Sequence, residues 1–293
     1  CYQNSLTVSE TRRQCALGIT WNRGAYDSKF AVDEAVDAPL KHVTSSEEIL
    51  RYPFPTPELF DFTCLLEEAE QHKDRVKIGG LWTGIMGDSY RMYGFERFLT
   101  DIALEPDLIH TLIDKLTDVY LALNNKYFET MKGNLDIWFF GNDFGSQMGL
   151  LMSETMWCDY FYDNIKRLCD LAKSYGITVM MHSCGGIRPI IPHLIRAGVE
   201  ILDPIQITAK DMQPDQLAEA FGDALIFHGA LDTQQILPYG SPEDVKRETH
   251  RLLSIMKDKG YIFAPSQVLN KDVPAENMAN MYQAVRDAVQ RFA

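Results

Sequence analysis

Six times along this chain a short apolar run is followed by a helical pattern, in strict alternation. The runs lie at 76–81, 136–140, 178–184, 199–202, 225–228 and 261–264. They are apolar almost throughout rather than at every second residue, the pattern of parallel strands covered on both faces. Helices are predicted at 58–73, 88–103 and 106–131, and from Ser153 to Gly176. A short one passes through Ile190, Leu194 and Ile195, and another spans 214–221. Ser241-Pro242-Glu243-Asp244 opens a further helix with cap, first-turn proline and acidic first turn in their favoured places, and Gly260 ends it. Pro274 starts the last.

An open doubly wound sheet and a closed (β/α)8 TIM barrel both satisfy such alternation. No Gly-x-Gly-x-x-Gly and no phosphate loop follows any run, which disfavours the nucleotide-binding open sheet. The barrel is therefore the expected fold class. Eight strands close a barrel, so two must come from the irregular N-terminal region or be missing. The expected organisation is a single domain, with 1–57 a partial N-terminal segment and 58–293 the barrel. In that segment 17–21 reads as a strand, while 37–39 and 52–57 read as turn or extended chain.

At 46% hydrophobic residues the 293-residue chain can bury a large core. Its formal charge of −13 argues against nucleic acid and anionic membrane as partners, since both select an excess of Lys and Arg. No apolar run approaches the ~18–20 residues of a membrane span and no signal-peptide pattern is present, so a cytoplasmic location is expected. The chain opens on Cys1 rather than Met, which points to a trimmed N-terminus. Its six cysteines are scattered with no Cys-x-x-Cys, the pattern of reduced thiols rather than of a disulfide framework.

In a barrel, chemistry gathers where the strands end. Those ends read Asp143, His182 with Cys184, Asp203 with Gln206, His228 with Asp232, and Gln267. Each acid alone has a plain structural reading. Asp203 before Pro204 starts a turn as well as it serves a site, and Asp232 caps a loop. Recurrence over several strands favours a common site. His182 and Cys184 share a strand face and stand ~6.5–7 Å apart at Cα. That spacing suits two ligands on one metal better than a nucleophile and its base, and Gly185-Gly186 lets the chain turn away beyond them. No Gly-x-Ser-x-Gly elbow points to serine hydrolysis.

The stretch from His182 to Gln206, His-Ser-Cys-Gly-Gly-Ile-Arg-Pro-Ile-Ile-Pro-His and onward to Asp203-Pro-Ile-Gln206, resembles the uroporphyrinogen decarboxylase superfamily. Within it the likeness is to the branch of cobalamin-dependent (corrinoid) methyltransferases. Gly141-Asn-Asp-Phe-Gly, Phe227-His-Gly-Ala-Leu-Asp232 and Ala264-Pro-Ser266 are similar in family order, from about residue 17 to the end. The resemblance implies a barrel whose N-terminal strand region is absent or truncated. It also implies zinc held by His182 and Cys184, and a corrinoid carried by a partner protein. In the zinc enzymes of the superfamily a later cysteine completes the ligand set; here that place reads Pro265-Ser266-Gln267. Asp143 is then a third ligand or a substrate contact, with Asp143 and Asp232 the catalytic candidates and Gln206, His228 and Gln267 lining the substrate pocket. The arginine-rich N-terminal signature of true uroporphyrinogen decarboxylases is missing, and Arg188 is the one basic residue near the strand ends.

The expected function is methyl transfer between a small methylated molecule and a corrinoid protein, assisted by zinc. Two alternatives stay open: decarboxylation of a small carboxylated substrate on the same barrel, and a barrel without catalysis.

Overall fold

The computed structural model describes residues 6–9, 11–22 and 33–292. In chain order, strands β1 (Leu6–Ser9), β2 (Arg12–Gln14), β3 (Thr20–Asn22) and β4 (Glu34–Asp37) precede helices α1 (Ser46–Arg51) and α2 (Cys64–Gln71). Next come β5 (Ile78–Gly79), α3 (Ile85–Tyr93), α4 (Phe95–Leu104), α5 (Pro106–Thr130) and β6 (Ile137–Gly141). The hairpin β7 (Gly145–Ser146) and β8 (Gly149–Leu150) follows, then α6 (Glu154–Trp157), α7 (Asp163–Ser174) and β9 (Thr178–His182). The chain continues through α8 (Ile191–Ala197), β10 (Ile201–Ile205), α9 (Pro214–Phe221), β11 (Ile226–Leu231), α10 (Ile236–Tyr239), α11 (Pro242–Ile255), β12 (Tyr261–Pro265) and α12 (Ala275–Phe292).

Two compact units share the chain. The first comprises Cys1–Asn142 with Thr155–Val179 and the second Asp143–Glu154 with Met180–Ala293, so β9 begins in one and ends in the other. In unit 1, β1 to β4 form an antiparallel sheet in sequential order, in which the strand expected at 17–21 is present only as β3. A turn closed by Gly18 N–H to the Cys15 carbonyl occupies the preceding residues. The helix expected at 58–73 is shortened to α2, because Asp61 accepts both the N–H and the hydroxyl of Thr63 and so holds a turn there. The single helix expected at 88–103 is two: Gly94, at φ +103, breaks it between α3 and α4.

Helix α5 matches its predicted span. Pro106 sits in its first turn, and Leu108, Ile109, Leu112, Ile113, Leu116, Val119, Tyr120 and Leu123 recur at three- and four-residue spacing as its buried face. Strands β5 and β6 pair in parallel with Ile78 opposite Ile137, and Thr178 at the start of β9 donates its N–H to the Asp136 carbonyl. The long helix expected from Ser153 to Gly176 is interrupted by a π-helical turn at Cys158–Tyr162 between α6 and α7.

In unit 2, β9, β10, β11 and β12 run parallel in that order, with helices α8 to α12 making the crossovers and the C-terminal cover. Every residue of β10 is buried, the charged Asp203 included. The register sets Asp203 opposite His182 and Phe227 opposite Leu202. Ser241 and Asp244 form the predicted capping box of α11, each side chain taking the other's backbone N–H. The fold is thus α/β of the TIM-barrel class, with six parallel strands among the described residues, two fewer than closure needs. No helix among those residues is long and apolar enough to cross a membrane.

Candidate metal centre

All eight strand-end residues singled out in the sequence lie in unit 2, so their mutual geometry belongs to one packed body. His182 ends β9. Beyond it the chain turns at Gly185 (φ +87) so tightly that a Cβ there would stand 2.4 Å from the Gly145 carbonyl carbon and 2.6 Å from the Ser146 nitrogen. The Gly186 N–H, at 2.9 Å from the Ser146 carbonyl, fastens this turn to the β7–β8 hairpin. The close approach brings Asp143, just before the hairpin, against Cys184: Asp143 Oδ1 accepts the Cys184 N–H at 2.9 Å. Ser183 points the other way, as strand alternation requires, and its hydroxyl accepts the Phe144 N–H at 3.2 Å.

The ligating atoms of Asp143, His182 and Cys184 consequently lie within 4.8 Å of one another. His182 Nε2 is 3.1 Å from Cys184 Sγ and 3.3 Å from Asp143 Oδ1. Donors bound tetrahedrally at ~2.0–2.3 Å from a zinc ion stand roughly 3.3–3.7 Å apart, so these three need little movement to take one up. One imidazole, one thiol and one carboxylate, with a fourth direction left for water or substrate, is a donor set suited to zinc in a reactive site. The residues fit the ion.

Behind the three donors stands Asp203. Its buried carboxylate takes His182 Nδ1 at 2.5 Å through one oxygen and His228 Nδ1 through the other. That fixes the His182 ring with Nε2 toward Cys184 and Asp143, the arrangement that metal-bound histidines obtain from a carboxylate behind them. Burial alone would push the His182 pKa down. Hydrogen bonds that the ring donates to the Asp143 and Asp203 carboxylates outweigh it, and the imidazole is pushed up to about 12. Asp143, half exposed, moves the opposite way: despite some desolvation, the His182 contact and the Cys184 N–H bring its carboxyl down to about 2. Burial raises Asp203 as well, but its two histidines hold it below the usual carboxylate range. Without metal, His182 is an imidazolium clamped between two carboxylates.

The other predicted residues divide. Gln267 donates from Nε2 to Cys184 Sγ at 2.9 Å, so the side chain standing in the place of a third thiolate touches the thiol instead. Gln206 Oε1 accepts the Gly185 N–H at 2.9 Å and holds the turn. His228 joins the group through Asp203. Asp232 stands apart, its two carboxylate oxygens accepting the N–H groups of Gln234, Gln235 and Ile236 where α10 begins. That is the loop-capping role the sequence also allowed it. Sequence reasoning names Asp203 among the strand ends but gives it no role in the site, because an acid before proline reads equally well as a turn. Its place on the strand next to β9, level with His182, is the feature that could have revealed it.

A methyltransferase from Methanosarcina mazei shares this architecture with a TM-score of 0.73 at 17% identity, over 94% of this chain and 77% of that one. Two other solved structures are less similar. Dihydropteroate synthase from Yersinia pestis has a TM-score of 0.37 at 16% identity, covering 74% of this chain and 70% of its own. The 3-keto-D-glucoside 4-epimerase from E. coli has a TM-score of 0.41 at 10% identity, covering 75% and 100%. No curated protein sequence matches the chain. The uroporphyrinogen decarboxylase (URO-D) pattern, however, matches residues 35–288, nearly the whole described length, and the chain therefore belongs to the uroporphyrinogen decarboxylase (URO-D) family.

Proposed function

We propose that this protein is a methyltransferase that moves a methyl group between a small methylated molecule and a corrinoid carried by a partner protein, with zinc held at Asp143, His182 and Cys184. The observation that carries the reading is the convergence of three unlike donors within 4.8 Å, with the far nitrogen of the histidine already committed to Asp203. The solved structure that shares the fold, named a methyltransferase, supports the same class. Bound zinc would supply Lewis acidity toward the heteroatom that gives up or receives the methyl group. The remaining work belongs to the chain. Asp203 keeps the His182 ring aimed, and Gln206 keeps the Gly185 turn closed under Cys184. The Gln267 amide, donating to Cys184 Sγ, disperses charge on the sulfur and so weakens it as a donor relative to a free thiolate. An electron-poor ligand set leaves a metal more acidic toward substrate. His228, held by Asp203, lies next to this group as a contact for the substrate's polar end.

The test is incubation of purified, zinc-loaded protein with a reduced corrinoid protein and a panel of methoxy, methylamine and methylthio compounds. Methylcobalamin should appear with at least one donor and be lost in His182→Ala. The family match favours one second reading, decarboxylation of a small carboxylated substrate. Carbon dioxide release from such a substrate, with no methylcobalamin from any donor, would establish it in place of the first.

A further inference from the structure

Unit 1 holds a cavity of about 350 Å³ that the reading above does not use. Its walls are mostly apolar, with Leu17, Phe60, Leu81 and the rings of Trp21 and Trp82 among them. Two arginines also line it. Both gather round one indole, with the guanidinium carbons of Arg13 and Arg91 at 6.0 and 5.4 Å from the Trp21 ring centroid.

The charges of these two cations are incompletely answered. Arg13 pairs with Asp33 at 2.8 Å, yet its Nε is buried and makes no hydrogen bond among the described residues. Arg91 meets Asp88 at 3.4 Å, long for a charge-assisted bond. Asp88 is itself occupied, accepting the Tyr120 hydroxyl, and its burial pushes the carboxyl pKa up, which disfavours a full negative charge beside Arg91. Among the described residues the two guanidiniums thus meet only Asp33 and the buried Asp88, whose charged form burial disfavours, and one further negative charge would balance the site.

The walls narrow the choice of anion. Free phosphate would leave most of an apolar cavity dry and its own oxygens short of donors. A carboxylate matches the guanidinium fork, and flat indole and phenyl surfaces suit a flat ring. The volume lies at the small end of ligand pockets, which run ~300–1,000 Å³. We propose that this cavity binds a monoanionic aromatic carboxylate of one or two fused rings, with its ring against Trp82 and Phe60 and its carboxylate on Arg13 and Arg91.

Cys15, a free and half-buried thiol lining the same cavity, is a built-in reporter. The full chain is titrated by calorimetry with benzoate and 2-naphthoate, with benzamide and inorganic phosphate as controls. Alkylation of Cys15 by iodoacetamide is followed in parallel by peptide mass spectrometry. Saturable binding of a carboxylate is expected, slowing Cys15 alkylation at least tenfold, with no effect of either control. Arg91→Gln and Arg13→Gln should each weaken binding at least tenfold. The proposal is overturned if benzamide binds as well as benzoate, if phosphate protects Cys15, if the carboxylates leave its alkylation rate unchanged, or if the folded arginine variants bind as wild type does. The first three outcomes are read on the wild-type chain and do not depend on how a variant folds.

Discussion

Cys184 carries two demands at once: its sulfur faces His182 Nε2 at 3.1 Å and receives the Gln267 amide at 2.9 Å. Removing the sulfur leaves an imidazole and a carboxylate, too few protein donors for tight zinc. Cys184→Ser should therefore abolish zinc uptake, while Gln267→Cys, which supplies a second thiolate in reach of the first, should tighten it at least tenfold. Elemental analysis with a competition titration reads both, and full occupancy of Cys184→Ser would mean that the ligands lie elsewhere. The same residues fix how affinity varies with pH. In the metal-free protein His182 is held as imidazolium, pushed up to about 12, whereas in the unfolded chain it loses its proton near ~6.5. The clamp's stabilisation is thus complete below ~6.5 and declines as pH rises toward 12. Zinc needs the neutral ring, so binding expels that proton, and zinc affinity should rise about tenfold per pH unit from this group between pH 6 and 8. A flat profile over that interval would show that His182 is not a ligand.

The order of strands and helices was readable because apolar runs and capped helices are local features; β9 to β12 and the start of α11 stand where the pattern places them, though α11 ends at Ile255 rather than at Gly260. The breaks were harder to see. Gly94 ends a helix that periodicity alone would continue, and the π turn at Cys158–Tyr162 leaves no mark on a 3.6-residue pattern. The site was legible in the same uneven way. His182 and Cys184 stood out because they share one strand's end, but Asp203 acquires its role from the register between two strands, which no single run of residues reveals. The element that turns legible residues into a site is the contact of the Gly185 turn with the β7–β8 hairpin. At φ +87, with backbone atoms where a Cβ would go, position 185 cannot carry a side chain without moving the hairpin. Gly185→Ala should cost ~1–3 kcal/mol in the denaturant-unfolding free energy of the metal-free protein. It should weaken zinc binding as well, because displacing the hairpin pulls Asp143 away from Cys184. A variant of unchanged stability and unchanged zinc affinity would mean that the turn is soft and the donors are not held in place by it.

At the scale of the whole chain the dominant property is charge. The formal net charge is −13 with histidines neutral and the isoelectric point is about 5.0, so even protonating all seven histidines would leave the chain acidic. Part of its cationic surface lies in local pairs: Lys41 with Asp37, Arg51 with Glu47, Lys166 with Asp170, Arg247 with Asp244 and Arg251 with Glu248. Exposed pairs of this kind stabilise little, but each cancels a charge that a polyanion would otherwise see. Binding to nucleic acid or to an anionic bilayer gains its free energy by releasing counterions from phosphates, and that requires several uncompensated cations on one face. The protein should therefore pass through heparin at low ionic strength without retention, and should not co-sediment with phosphatidylserine vesicles. Retention that disappears steeply with added salt would place a concentrated basic surface on a chain whose total charge opposes one, and would remove the expectation that its partners are small molecules and proteins.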